Sequence, residues 1–176
     1  MRKLLNEELG RLGPEEYKKS KKIPVIVVLD NIRSQHNIGS VFRTADAFRL
    51  EGIYLCGITA TPPHREIHKT ALGATESVKW NYFKETKDAI GVLRKKKYKI
   101  LSVEQVVGAL RLDQLKLSIN QKYALVLGHE VHGVDQRVVD LSDYCVEIPQ
   151  YGTKHSLNIS VASGIVIWEV FKQLYL

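Results

Sequence analysis

The feature that most limits how this chain can fold is an uninterrupted apolar run near its start. Residues 24–29 read Pro-Val-Ile-Val-Val-Leu and are followed by Asp30. A short run rich in β-branched residues is typical of a strand that is buried on both faces, as the strands of a parallel sheet are. We therefore expect a core strand here, in a sheet that is covered on each side.

The rest of the chain alternates between strand-like and helix-like segments. Further strands are predicted near residues 52–57, 77–82, 99–103, 122–127 and 143–147. Helices are predicted near residues 38–49, 85–97, 135–140 and 157–174. This alternation predicts an α/β fold, with a mainly parallel sheet and helices on both faces. Ligands bind at the carboxyl ends of the strands in such sheets, so polar residues that follow the strands are candidates for a site.

Residues 1–22 precede the first strand and have a different pattern. Leu5, Leu9 and Leu12 stand at helical spacing, and a basic run follows at 18–22. We expect a helical extension over 1–22 and a single domain over 23–176.

Composition narrows the class of protein. Lysine and arginine number 26 against 19 acidic residues, which gives a net charge of +7. Such a balance favours a polyanionic partner such as nucleic acid, although a mild positive excess also serves solubility alone. Two cysteines, Cys56 and Cys145, form no disulfide framework or cysteine-rich metal site. Without a signal peptide or membrane span in the sequence, we expect a cytoplasmic protein with no membrane partner.

Polar residues follow the first predicted strand. Asn37 is placed to cap the next helix, and Arg43 lies two turns into that helix. The two side chains could face one ligand. The helix's apolar stripe of Val41, Ala45 and Phe48 leaves Arg43 on a different face, so a cap plus a surface arginine is the alternative.

The loop after the strand at 122–127 contains Gly128, Glu130 and Gly133. A glycine directly at a strand's carboxyl end lets the backbone approach a ligand closely, and Glu130 offers an acceptor beside it. The spacing matches neither the dinucleotide-binding motif nor a phosphate-binding loop.

The last predicted helix follows a third polar loop. Ser156 is a plausible N-cap of this helix, and Asn158 falls in its first turn. A stripe at helical spacing marks the expected core face: Leu157, Val161, Ile165 and Trp168. The tryptophan is expected to pack in the core or in a dimer rather than against a nucleic-acid base.

Three motifs together carry a family resemblance. They are N-x-G-x-x-x-R at 37–43, G-x-E-x-x-G at 128–133 and I-P-x-x-G-x-x-x-S-L-N at 148–158, and the segment 69–74, Lys-Thr-Ala-Leu-Gly-Ala, adds to them. In motif order and spacing the chain resembles the SpoU/TrmH branch of the SPOUT RNA 2′-O-ribose methyltransferases over about residues 24–174. The resemblance implies a C-terminal trefoil knot, S-adenosylmethionine as cofactor, and a homodimer that completes the active site across its interface.

The resemblance also implies a set of site residues. The catalytic positions are Asn37, Arg43, Glu130, Ser156 and Asn158. The cofactor-binding positions are Ser102, Val103, Glu104, Leu127, Gly128, Gly133, Ile148, Ser156 and Leu157.

Roles for these residues follow from the expected chemistry. A guanidinium pKa above about 12 argues against a base, so we expect Arg43 to position a phosphate and stabilise the developing alkoxide. Ser156 and Asn158 would hold the ribose or the arginine, and Glu130 would orient Arg43 or tie the dimer together. The expected reaction is methylation of a ribose 2′-hydroxyl in tRNA or rRNA. The short extension favours tRNA.

Three alternatives fit the sequence less well. The histidine pairs His64/His68 and His129/His132 lack the order and third ligand of a zinc protease site. A serine hydrolase at Ser156 lacks the strained G-x-S-x-G turn. A non-catalytic RNA-binding module on the same fold is the main alternative, and its sign would be RNA binding that ignores S-adenosylmethionine.

Overall fold

The apolar run forms the body of a strand, β1 (Ile23–Asp30), in which all residues but Pro24 are buried. A computed structural model describes the backbone of residues 1–176 and the side chains of residues 1–5 and 7–176. Strand β1 pairs in parallel with a strand on each side, and Val27, Val28 and Leu29 are 0% exposed. The prediction of a core strand is confirmed.

Seven strands form one sheet, in the order β3-β2-β1-β6-β4-β7-β5, and each pairing between neighbours is parallel. After β1 they are β2 (Leu50–Cys56), β3 (Trp80–Phe83), β4 (Tyr98–Val103), β5 (Leu110–Arg111), β6 (Lys122–Leu127) and β7 (Tyr144–Glu147). Parallel strands have their carboxyl ends at one edge, so the loops after β1, β4, β6 and β7 lie together there.

Helices cover both faces of the sheet, as predicted. They are α1 (Pro14–Lys19), α2 (Gln35–Ala47), α3 (Arg65–Ala71), α4 (Ala74–Ser77), α5 (Thr86–Lys95), α6 (Gln136–Val139) and α7 (Ile159–Tyr175). The core on one face contains apolar residues of α2, α3 and α7, and the core on the other contains residues of α5 and α6. The α/β class is therefore confirmed. The knot stays a prediction.

Several short elements differ from the sequence expectations. Helices α3 and α4 occupy a stretch that was predicted as a loop and the start of a strand, and β5 was not predicted. The extension is not one helix, because Gly10 has a left-handed backbone between a 3-10 turn (Asn6–Leu9) and α1. Tyr17 of α1 is buried in the core. The division into an extension over 1–22 and a domain over 23–176 stays a prediction.

The predicted core face of α7 is wrong. Its stripe is the exposed one: Leu157 38%, Val161 50%, Ile165 38% and Trp168 48%. The buried face consists of other residues: Ile159, Ser163, Val166, Ile167 and Val170. Helix α7 has apolar residues on nearly every side, so apolar residues recur at helical spacing on two of its faces. Spacing alone therefore does not show which face is buried. None of the helices in the described chain has the length and apolar character needed to cross a lipid bilayer.

Candidate functional site

A cleft of about 520 Å³ opens at the carboxyl ends of β4, β6 and β7. Residues that end these strands or follow them line it, together with the loop that leads into α7. This is the edge at which parallel α/β sheets bind ligands. The cleft is thus the first candidate for a functional site.

The cleft brings together most of the residues that the sequence predicted for the cofactor. Eight of them line it: Val103, Glu104, Leu127, Gly128, Gly133, Ile148, Ser156 and Leu157. Ser102 is not one of the lining residues. Its side chain is buried in the sheet, and its hydroxyl lies 2.7 Å from the hydroxyl of Ser142.

The structure explains why the second motif has glycine at two positions, and the sequence did not reveal this explanation. A Cβ atom on Gly128 would lie 2.1 Å from the backbone carbon of Gly133. Gly133 has a φ of +67°, and its Cβ would lie 2.1 Å from a carboxylate oxygen of Glu104. The glycines therefore let two stretches of protein approach each other, whereas we expected them to admit a ligand.

Backbone hydrogen bonds close the loop between these glycines. His129 and Gly133 exchange two of them, with N–O distances of 2.9 and 2.8 Å. Glu104 fixes the loop to the end of β4, because its carboxylate accepts from the Val134 amide at 2.8 Å. One wall of the cleft is thus held in a defined shape.

Beside the cleft, three predicted catalytic residues form a hydrogen-bonded network. The Asn37 amide group donates to a Glu130 carboxylate oxygen at 3.2 Å, and Asn158 donates to the Asn37 side-chain oxygen at 3.2 Å. The Glu130 carboxylate also accepts from the backbone amides of Arg33 at 3.1 Å and Ser34 at 3.0 Å. Each of the three motifs therefore contributes one residue to the network, and Asn37 joins the other two.

The same contacts set the charge state of Glu130. Partial burial raises its pKa, but the hydrogen bonds from Arg33, Ser34 and Asn37 outweigh that effect and hold the pKa below its ordinary value. The carboxylate is therefore ionised at neutral pH and accepts hydrogen bonds with both oxygens.

The helix caps at this site differ from the prediction. Ser34, not Asn37, caps α2, because its hydroxyl accepts from the Asn37 amide. Asn158, not Ser156, caps α7, because its side-chain oxygen accepts from the Ser160 amide at 2.8 Å. Ser156 precedes the cap in an exposed position and lines the cleft.

Arg43 lies apart from the network. It stands six residues after Asn37 on α2, which places the two side chains about 120° apart around the helix. Its side chain is exposed and is not among the partners that hold Glu130 in the described chain. The structure thus gives no support to the expectation that Arg43 and Asn37 face one ligand within a single protomer.

Some cleft residues were missed from the sequence. They are Gln105, Val131, His132, Glu147 and Gln150, together with several neighbours. Gln105 donates from its side-chain amide to the carbonyl of His155, another residue that lines the cleft, at 2.8 Å. Gln105 and Gln150 lie two and three residues after the ends of β4 and β7, and that position was a usable signal, but nothing local distinguishes them from other loop residues.

The histidine pairs have structural partners. The rings of His129 and His132 stack with centroids 4.8 Å apart, and Nδ1 of His129 accepts from the Val131 and His132 amides. His64 caps α3. Among the described residues, no three His, Cys, Asp or Glu side chains are grouped so that they could hold a metal ion.

A parallel sheet with a cleft at its carboxyl edge is the arrangement by which α/β proteins bind ligands. The sequence model of the SpoU rRNA methylase family matches residues 24–168. This match covers most of the chain. The chain therefore belongs to the SpoU rRNA methylase family.

Individual relatives agree with this assignment. An uncharacterized tRNA/rRNA methyltransferase of Borreliella burgdorferi is 30% identical over 90% of the chain, and the match covers 68% of that relative. A putative TrmH family tRNA/rRNA methyltransferase of Staphylococcus aureus is 27% identical over 90% of the chain and is covered to 63%. The crystal structure of an AdoMet-bound rRNA methyltransferase from Sinorhizobium meliloti superposes with a TM-score of 0.81 and 25% identity, covering 91% of this chain and 61% of that one. The chain thus spans about two thirds of these relatives.

Proposed function

We propose that this protein is an RNA methyltransferase that transfers the methyl group of S-adenosylmethionine to a ribose 2′-hydroxyl. The observation that carries the proposal is the network of Asn37, Glu130 and Asn158 beside the cleft. These residues come from three motifs, and they meet next to the lining expected for the cofactor. A binding module would gain only structural support from this set, such as the cap that Asn158 provides for α7.

The cleft residues fit S-adenosylmethionine. Leu127, Ile148 and Leu157 offer apolar surface for an adenine ring, and the loop backbones offer hydrogen-bonding groups. Three acidic residues, Glu104, Glu130 and Glu147, are also among those that line the cleft, and a negative charge there favours a cationic ligand such as a sulfonium. When bound, the sulfonium supplies an electrophilic methyl group, and the protein contributes alignment of the attacking oxygen with it.

Arg43 would act in a site that two protomers complete together. It is exposed on the outer face of α2 and lies apart from the network of its own chain. The exposed apolar side chains of Val161, Ile165 and Trp168 on α7 are suited to a homodimer interface. At that composite site the guanidinium would hold a phosphate and stabilise charge on the ribose oxygen while the oxygen bonds to the methyl carbon, the carbon–sulfur bond breaks and the hydroxyl proton passes to water.

The substrate would be tRNA or rRNA in the cytoplasm. The net charge of +7 suits a phosphate backbone but does not discriminate between RNAs. The named relatives are tRNA/rRNA methyltransferases, so they leave both classes open. We favour tRNA, and the test has to include both.

The experiment is transfer of radiolabelled methyl from S-adenosylmethionine to RNA taken from a strain that lacks this protein. Transfer RNA and ribosomal RNA are assayed separately, and the labelled nucleoside is identified after digestion. Label in a 2′-O-methylnucleoside from one pool supports the proposal and names the substrate class. Label on a base would contradict the ribose target.

A non-catalytic RNA-binding module remains the competing hypothesis. It predicts RNA binding that is the same with and without S-adenosylmethionine, and no label in either RNA pool. Calorimetry with S-adenosylmethionine alone separates the hypotheses further, because a pure RNA binder would give no heat of binding at the cleft.

A further inference from the structure

The loop between β7 and α7 presents an aromatic side chain at the rim of the cleft. Tyr151 is 86% exposed, whereas its neighbour Gln150 lines the cleft. An aromatic ring left so open to water has apolar faces that no protein group covers. An exposed ring beside a ligand site is a candidate contact for a second molecule that binds there together with the ligand.

The ring is held in place despite its exposure. Both terminal nitrogens of the Arg111 guanidinium lie 3.3 Å from the Tyr151 hydroxyl oxygen and donate to it. Arg111 is itself fixed, because its Nε donates to the Asp113 carboxylate at 3.1 Å. An anchored ring loses less conformational freedom on binding than a free surface tyrosine would.

The backbone of the same loop is also anchored. The hydrogen bond from the Gln105 side chain to the His155 carbonyl joins this loop to the segment after β4, and both residues line the cleft. Lys154 is exposed in this loop, and the Arg111 guanidinium lies at the hydroxyl end of the ring. An exposed aromatic ring with cationic side chains in the same region is the combination by which proteins bind single-stranded nucleic acid.

We propose that Tyr151 is a stacking platform for an RNA base next to the nucleotide whose ribose enters the cleft. The inference rests on the proposed function for its choice of RNA as ligand. Cations at the rim match the phosphates, and the ring supplies a sequence-tolerant contact to one base. Tyr151 is not among the residues that line the cleft, whereas Gln150 before it and His155 after it in the loop are.

The test compares Tyr151→Ala, Tyr151→Leu and Tyr151→Phe with the wild type in the full chain. Binding is measured by fluorescence anisotropy with two labelled probes, a single-stranded oligoadenylate and the same oligomer with abasic riboses. Loss of the ring in the alanine and leucine variants should weaken oligoadenylate binding roughly 5- to 100-fold. Binding of the abasic probe should be unchanged, and the phenylalanine variant should bind both probes almost as the wild type does.

Tyr82→Ala is the matched control. Tyr82 is a half-exposed tyrosine on β3, at the opposite edge of the sheet from β5, and its removal should change neither affinity. Thermal unfolding of each variant shows whether the fold is kept. Loss of affinity for both probes alike would overturn the proposal, as would wild-type affinity in Tyr151→Ala. A loss confined to S-adenosylmethionine binding would also overturn it, because the ring would then cover the cofactor.

These outcomes are distinct from failure of the proposed function. A wild type that binds oligoadenylate through Tyr151 but transfers no methyl group to any RNA would contradict the methyltransferase proposal and leave the stacking inference standing. If the wild type methylates RNA and Tyr151→Ala still binds oligoadenylate normally, the methyltransferase proposal stands and the stacking inference is overturned. Absence of RNA binding by the wild type would overturn the stacking inference.

Discussion

Asn37 is 93 positions from Glu130 and 121 positions from Asn158 in the chain, yet its side-chain amide contacts both. Each contact uses a different end of the amide, one donating and one accepting. Asn158 has a second task, because its side-chain oxygen caps α7. At the scale of single residues, the site is therefore a set of polar side chains that also fix where the elements begin.

The charge of Glu130 gives a pH prediction. A carboxyl whose pKa is lowered in the fold stabilises it above the unfolded pKa of about 4.3, and this contribution is lost as the pH falls through the folded pKa. Glu130→Gln should therefore be less stable than the wild type at neutral pH, with a gap that closes below about pH 4. Urea unfolding over a pH series measures the gap. A gap independent of pH would show that the charge contributes nothing.

Arg43 gives a prediction about rate. Arg43→Ala should lower the kcat for RNA methylation roughly 100- to 1,000-fold, as loss of a group that stabilises an oxyanion does. S-adenosylmethionine binding, followed by calorimetry, should be unchanged because Arg43 is not among the cleft residues. Arg65→Ala removes another exposed arginine, on α3, and should keep the wild-type kcat. An unaffected kcat in Arg43→Ala would remove the arginine from the mechanism.

Gly133 gives a prediction about stability. Gly133→Ala places a Cβ atom at a position with positive φ and only 2.1 Å from a carboxylate oxygen of Glu104. We expect it to lower the free energy of unfolding by about 1–3 kcal/mol and to lower the affinity for S-adenosylmethionine. Gly91→Ala is the matched control, because Gly91 lies in α5 with no atom near its Cβ position. The free energy of unfolding of that variant should be higher than that of the wild type by roughly 0.5–1 kcal/mol. Equal effects of the two changes in denaturant unfolding would contradict this explanation of Gly133.

At the scale of elements, α7 does two things at once. Its buried face closes the core over α2, and its first residue follows the cap that Asn158 provides. Its other face is apolar and exposed, and there Trp168 packs against Phe48 and Phe171 with centroids 5.9 Å away in each case. A helix with two apolar faces is suited to packing between a core and a second subunit.

That second face gives a prediction about assembly. Ile165→Lys should convert a homodimer into monomers, because it places a charge in the middle of the proposed interface, and sedimentation velocity measures the change. Methylation should be lost with dimerisation if Arg43 acts across the interface. Val107→Lys alters an exposed apolar side chain in the loop after β4 and should leave the dimer intact. A monomeric wild type would contradict the composite site.

At the scale of the whole molecule, charge is distributed unevenly. The chain has a net charge of +7, while three acidic residues, Glu104, Glu130 and Glu147, are among those that line the cleft. Under the proposed function, this arrangement would separate attraction of the RNA backbone to the outer surface from binding of a small cationic ligand in the cleft.

The separation predicts different responses to salt. RNA affinity should fall at least roughly tenfold between low and physiological salt, because binding to phosphates releases counterions. Affinity for S-adenosylmethionine should change little over the same range, because a small ligand in a cleft displaces few ions. Parallel titrations at several salt concentrations measure both. RNA affinity independent of salt would show that the basic surface does not contact the backbone.

Much of the fold followed from local patterns. The strand predicted at 122–127 is β6 (Lys122–Leu127), and the apolar run at 24–29 is β1. Strand β5 was not predicted because two residues carry no periodic signal, and it exists only through pairing with β7. Helix α3 was missed because it follows two prolines in a stretch without a clear apolar stripe.

The sequence by itself determined the alternation of elements, the parallel class of the sheet and the polar residues at strand ends. These depend on β-branched runs and helical spacing, which are local properties of the chain. The tertiary structure alone decided that Asn37 meets Glu130 and Asn158, that α7 buries the opposite face from the one expected, and that Arg43 stands apart. Each of these is a contact between distant segments, and packing of the whole core selects among arrangements that local patterns leave equivalent.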